Sequence, residues 1–251
     1  MFRKFRPAAA TMAVASLIAL SACGSNETAD EGGIAEAQAV ATVPPPAGKE
    51  WSEVAAVTPE GGIVEGNPDA PIKLVEYASH TCGHCAEFSE QASDAIRSKY
   101  VNSGRVSYEI RNQIHDPIDL TFAVLARCAG PEAFHPLSEQ GWANLEAMFT
   151  TIQANNAQFQ AASQATGAAR FDAIASAAGL YDFFAQRGIS RDQARSCLAK
   201  TDTATKIAEN SEKQSEELNV TGTPTFFING KNVGTQSWAS LEPMLQRAGA
   251  R

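Results

Sequence analysis

The stretch His80-Thr81-Cys82-Gly83-His84-Cys85 places two thiols three positions apart, between a short β-rich run, IKLVEY (72–77), and AEFSEQASDAIRSKY (86–100). The turn formers GNPDAP (66–71) lead into the first run, and in the second Phe88, Ala92, Ile96 and Tyr100 recur at helical spacing until Asn102 and Gly104 stop it. A strand therefore becomes a helix through a C-x-x-C. This puts the dithiol at a helix N-terminus, where unpaired N–H groups and a partial positive charge favour an anion. Spacing alone leaves a zinc site, a structural staple and a working redox pair all open.

The flanking elements narrow the choice. RVSYEIR (105–111) alternates as a second strand with Val106, Tyr108 and Ile110 on one face, completing a β-α-β unit whose strands are expected to be parallel. From Asp116 to about Asn219 the pattern is helical, broken at Gly130-Pro131, Gly167, Gly179 and Gly188, and predicts four or five helices; Ser190 followed by Gln193 resembles a capping box. β structure returns at Thr225–Ile228, turns at Asn229-Gly230 and passes through Asn232-Val233 into a last helix around Ser240 to Ala248. That order predicts an α/β protein with a thioredoxin fold and an inserted helical domain at about 116–219, and there is no internal repeat.

With this order in place, GNPDAPIKLVEYASHTCGHC (66–85) and VTGTPTFFING (220–230) resemble the DsbA-type thiol:disulfide oxidoreductases of the thioredoxin superfamily over roughly residues 55 to 250. The resemblance implies that Thr223-Pro224 is a cis peptide facing the dithiol, where an incoming peptide adds as a strand. It also implies that Glu76, six residues before the first cysteine, moves a proton to or from the buried thiol. Glu76 shares a strand face with Ile72 and Leu74, so a central strand would bury it.

The residues themselves support redox roles. Cys82, at the helix start, is the expected nucleophile with a pKa below the free value of about 8.5, and Cys85, one turn on and facing inward, is the expected resolving thiol. His84 is expected to place positive charge near the Cys82 thiolate. His80 could tune charge, touch substrate or be a plain loop residue. Glu109 and Arg111 share a face and could pair with Glu76, although a solvated face is the simpler reading. His115 and His135 read as loop residues, and Trp142, Leu145, Met148 and Phe149 as a core stripe.

With Cys82 and Cys85 paired, and Cys23 set apart, Cys128 and Cys197 remain to bridge the insertion, unless they are buried free thiols. A closed zinc site needs about four ligands and no second pair of suitable spacing exists, so neither a metal nor a cofactor is expected.

The first fifty residues address the protein. Arg3, Lys4 and Arg6 precede an apolar run from Ala8 to Leu20, which reads as an export signal over residues 1–22, too short to span a bilayer comfortably. It ends in Leu20-Ser21-Ala22-Cys23, which resembles a bacterial lipobox and implies lipidation of Cys23. Residues 24–50, rich in Ala, Gly, Pro and Glu without periodicity, read as a disordered tether that, with Cys23, precedes a folded part at 51–251. Loss of residues 1–22 removes three cations and no acids, taking the formal net charge from −8 to −11, which argues against nucleic-acid binding.

The expected protein is a monomeric dithiol oxidase, lipid-anchored on the periplasmic side of the cell envelope. Gly24, in place of an acid after the cysteine, favours the outer membrane. Its partners would be exported proteins with reduced cysteines and a membrane redox partner of unknown identity. An isomerase or reductase is the alternative, and a metal-binding module a more distant one.

Overall fold

The computed structural model describes residues 33–162 and 164–251. The export signal, Cys23 and the start of the tether lie outside the described residues. The chain forms β1 (Ala55–Val57), β2 (Ile63–Gly66), β3 (Ile72–Ala78), α1 (Gly83–Ala95) and β4 (Val106–Asn112). The helical region follows as α2 (Pro117–Ala126), α3 (Pro131–Ala143), α4 (Leu145–Ala154), α5 (Asn156–Ala162), α6 (Gly167–Ala177), α7 (Leu180–Ala185), α8 (Arg191–Leu198) and α9 (Thr201–Glu217). A hairpin of β5 (Thr225–Ile228) and β6 (Lys231–Gly234) then leads to α10 (Trp238–Arg247).

The six strands form one sheet in the order β1-β2-β4-β3-β5-β6. As the β-α-β reading requires, β3 and β4 are parallel; β5 pairs antiparallel with the other edge of β3, so β3 is central. Strand alternation sends Leu74, Glu76, Tyr108, Ile110 and Phe226 to one face, where Phe88 of α1 meets Phe226 with ring centroids 4.5 Å apart. On the opposite face Tyr77 and Phe227 pack at 5.5 Å, and Tyr77 donates to Gln214 of α9 at 3.0 Å. At the hairpin, Asn229 and Gly230 both take positive φ, at 50° and 81°, the geometry a two-residue turn between twisted strands demands.

Two expectations are corrected, and one pair of strands is added. Among the described residues the helical region holds eight helices rather than four or five, because Asn144 and Asn155 end helices as effectively as the glycines do. β1 and β2 extend the sheet beyond β4, a contribution that the short runs before residue 66 did not signal. Residues 33–50, read as tether, instead run extended along the domain. Ala37 and Val40 N–H groups donate to the Arg247 and Gly249 carbonyls, the Val43 N–H donates to Ser103, and Trp51 Nε1 donates back to the Val43 carbonyl. Gly104 permits this approach, since a Cβ there would collide with the Val43 carbonyl. Main-chain pairing carries no hydrophobic period, so the sequence pattern could not reveal it.

Cys128, just past α2, is disulfide-bonded to Cys197 of α8, with Cα atoms 6.0 Å apart. The bridge closes 69 residues of the insertion. In the chain-entropy picture a loop of this size is worth roughly 4 kcal/mol. Replacing both cysteines with alanine is expected to lower unfolding stability by about that amount in a urea titration. Alkylation of Cys82 should proceed at the unaltered rate, and a variant as stable as the parent would contradict the account.

Candidate active site

The redox site assembles where the C-terminal end of β3 meets α1 and the loop before β5. Cys82 is the N-cap of α1, and its sulfur accepts the Cys85 N–H at 3.3 Å. Across the site, the Cys82 sulfur lies 3.3 Å from the Thr223 carbonyl, and Thr223-Pro224 is cis, as the sequence implied. Pairing of β3 with β5, in which Glu76 faces Phe226, brings these positions together although 141 residues separate them.

The two thiols differ sharply. Cys82 is 8% exposed and its pKa falls to about 5: the neighbouring Cys85 thiol contributes most, with help from the Thr223 side chain and the N–H groups of Cys85 and His84, all outweighing burial. Cys85 is 0% exposed, and burial, followed by the Cys82 sulfur and the Glu76 charge, pushes its thiol far up. One sulfur is therefore an anion at neutral pH and the other a thiol.

Glu76 is also 0% exposed. Tyr108 donates to its Oε2, while Oε1 has no hydrogen-bond partner among the described residues. Burial raises its pKa to about 8 against the lowering effect of the Tyr108 hydroxyl, and negative charge on Cys82 raises it further. Such a carboxyl can both take and return a proton near neutral pH.

Several of the remaining residues fall elsewhere than anticipated. The His84 imidazole is 82% exposed and stands 3.8 Å from Glu87; what His84 offers Cys82 is its main-chain N–H. Glu109 and Arg111 do not pair with Glu76. They bond each other on the far face of the sheet at 2.7 Å, with Thr58 and Tyr77 alongside. His135 is no loop residue but a buried member of α3 whose Nε2 meets the Ile63 carbonyl at 2.9 Å. Trp142, Leu145 and Met148 are core, whereas Phe149 stays exposed.

His80 proves to be structural. Its ring stacks between Phe122 and Trp142, with centroids at 4.5 and 5.5 Å, and its Nε2 lies 3.0 Å from the Ser138 hydroxyl. The His80 main-chain N–H donates to Asp119 at 2.8 Å, the Thr81 hydroxyl donates to Asp116 at 2.7 Å, and Trp142 Nε1 donates to the Ser79 carbonyl at 2.9 Å. The insertion thus clamps the loop that carries Cys82. His115, just before α2, reaches the other side of the site, with Nε2 3.2 Å from the Thr223 hydroxyl. Asp116-Pro117 was a legible helix start, but nothing in the sequence linked it to residues 79–82 or 223.

Among the described residues no group of three or more His, Cys, Asp or Glu could hold a metal ion, and no helix is long and apolar enough to cross a membrane.

A family model described as thioredoxin matches residues 58–247. The chain is similar to a protein-disulfide isomerase from Novosphingobium aromaticivorans, at 36% identity and a TM-score of 0.69, over 74% of this chain and 96% of that one. It shares its fold with alpha-DsbA1 of Wolbachia pipientis, at 20% identity and a TM-score of 0.62, over 79% of this chain and 96% of that one. A Rickettsia typhi protein described as a candidate protein-disulfide oxidoreductase is 26% identical over 74% of this chain; the chain spans 61% of that relative's length.

The geometry sets a pH dependence whose sign is fixed. A thiol that is more acidic folded than unfolded binds more protons in the unfolded chain between the two pKa values, about 5 and about 8.5, so it adds stability as pH rises through that window. The contribution is complete above about 8.5 and lost as pH falls through about 5. Glu76 works oppositely, losing stability as pH rises toward 8; burial contributes most to its shift and the Cys82 charge least, so most of that loss cancels in the difference between reduced and oxidised protein. The stability of reduced relative to oxidised protein should therefore rise from pH 5 to 8.5 in urea titrations, alongside a thiolate absorbance transition near pH 5. A flat difference, with one transition near 8.5, would contradict this.

Proposed function

Because this chain belongs to the thioredoxin family, we propose that it is an extracytoplasmic thiol:disulfide oxidoreductase, acting chiefly as a dithiol oxidase on exported proteins. The observation that carries this reading is the asymmetry of the dithiol: a stabilised Cys82 sulfur anion at the start of α1, a neutral Cys85 behind it, and the Thr223 main chain in front. A pair whose first thiolate is stabilised prefers the reduced form and so draws electrons from its substrates.

The steps follow from the geometry. A substrate thiolate attacks Cys82 of the oxidised pair, and the Cys82–Cys85 bond breaks as a Cys82–substrate bond forms. Cys85 leaves with the electron pair and takes a proton from the Glu76 carboxyl. A second substrate thiolate then attacks the substrate sulfur and expels Cys82 as its stabilised thiolate. The substrate has lost two electrons and gained a disulfide. The Thr223 main chain, beside a proline that cannot donate, offers the edge on which an extended substrate segment would lie.

The leader at 1–22 and the Leu20-Ser21-Ala22-Cys23 sequence support export and lipid anchoring at Cys23 on the periplasmic side of the envelope, with Gly24 favouring the outer membrane. A membrane redox partner would reoxidise the pair. Similarity to the Novosphingobium protein-disulfide isomerase favours isomerisation as the second reading. A scrambled substrate that is re-paired faster than a reduced one is oxidised would select it.

Incubated with a reduced, unfolded exported protein, oxidised wild type should yield substrate disulfides. The Cys85→Ala variant, supplied with substrate disulfides, should accumulate mixed disulfides through Cys82, and Cys82→Ala few or none. Trapping through Cys85 would overturn the assigned roles. Equal membrane association of wild type and Cys23→Ser on fractionation would exclude the lipid anchor.

A further inference from the structure

Glu76 lies on the central strand with no cation to pair with, and among the described residues its only hydrogen-bond partner is the Tyr108 hydroxyl. A buried carboxylate without a donor would be costlier still, and the acid would ionise only at higher pH. The arrangement around Tyr108 makes this one donor consequential. Tyr108 is itself fully buried, its ring 5.1 Å from that of His135, which burial keeps neutral with a pKa of about 4. Across the ladder Tyr108 faces Glu65 of β2, whose carboxylate shares Arg97 with Glu139 of α3. Arg97 is thus engaged by two other acids. From α1, the Cys82 sulfur adds negative charge to the Glu76 environment, and the Glu76 charge in turn acts on Cys85.

We infer that Tyr108 is a positioning residue of the resolving step, its hydroxyl stabilising and orienting the anionic form of the Glu76 carboxyl, the form that takes the proton of Cys85. The inference rests on the reading of Glu76 as proton acceptor for the buried thiol. In that step Cys85 gives its proton to Glu76, and the new thiolate attacks Cys82 in a mixed disulfide. The Cys82–Cys85 bond forms as the bond to the outgoing thiol breaks, and that thiol departs as a thiolate with the electron pair. The pKa of Glu76, raised to about 8 by burial but held down by the Tyr108 hydroxyl, is consistent with this role. Nothing in the sequence pattern marked Tyr108 beyond its place in the alternation of β4.

The test uses reduced protein and a chromogenic aromatic disulfide as the two-electron oxidant. Cys82 releases one aromatic thiol on attack, and Cys85 releases the second on resolution, so the second phase reports the step in question. In wild type its rate should rise with pH to a plateau, with a midpoint near 8. Tyr108→Phe removes one hydroxyl and keeps the ring, and should move the midpoint up by about one pH unit, slowing resolution about tenfold at pH 7. Glu76→Gln should abolish the transition, and adding Tyr108→Phe to it should change nothing more. An unmoved midpoint in Tyr108→Phe, or equal slowing by Tyr108→Phe with and without Glu76, would overturn the inference and leave Tyr108 a packing residue. A second phase that persists in Cys85→Ala would instead overturn the dithiol reading on which it rests.

Discussion

A sulfur anion at the first turn of α1 is the interaction on which the rest of the site depends. The N–H groups of that turn have no helical partners, and Cys82, as N-cap, supplies the acceptor. Everything nearby fixes where that sulfur stands. β3 delivers the loop, β5 delivers Thr223 opposite it, and the insertion grips the loop from the third side through Asp116, Asp119, Ser138 and Trp142. His80, sandwiched between two aromatic rings, ties the insertion to the residue pair that precedes Cys82. The insertion is therefore part of the active-site scaffold.

Burial gives the site its second property. The same helix that exposes the edge of Cys82 buries Cys85 against the sheet, and the same strand that carries Leu74 into the core carries Glu76 there. Desolvation keeps both neutral at moderate pH, so the inner half of the site stores protons while the outer half stores charge. In the proposed mechanism, a thiol that leaves as a thiol and attacks as a thiolate would exchange its proton with such a neighbour. Tyr108, on the adjacent strand, governs how readily that neighbour ionises.

The fold and the chemistry were legible to different depths. Alternation in 72–77 and 105–111, the helical spacing after Cys85 and the Asn229-Gly230 turn specify local structure directly, and the elements they predict are present. Cys82, Cys85 and Pro224 were legible because motif and element order place them. What the sequence could not convey is contact at long separation. The engagement of residues 33–50 depends on main-chain bonds to Ser103, Arg247 and Gly249, the role of His80 on an aromatic pocket built from α2 and α3, and that of His115 on a hydroxyl at position 223. His84 shows the converse: proximity in sequence suggested a ring beside the thiolate, but on a helix the next side chain points away, toward Glu87.

The central claim is that stabilisation of the Cys82 thiolate makes the disulfide form a strong oxidant. Its most direct test is the reduction potential of the Cys82–Cys85 pair, measured by equilibration with glutathione at neutral pH. The account expects a value close to the roughly −120 mV of strongly oxidising members of this superfamily. A value near −270 mV, where thioredoxin itself lies, would mean that the reduced form gains no such stabilisation and would contradict the claim.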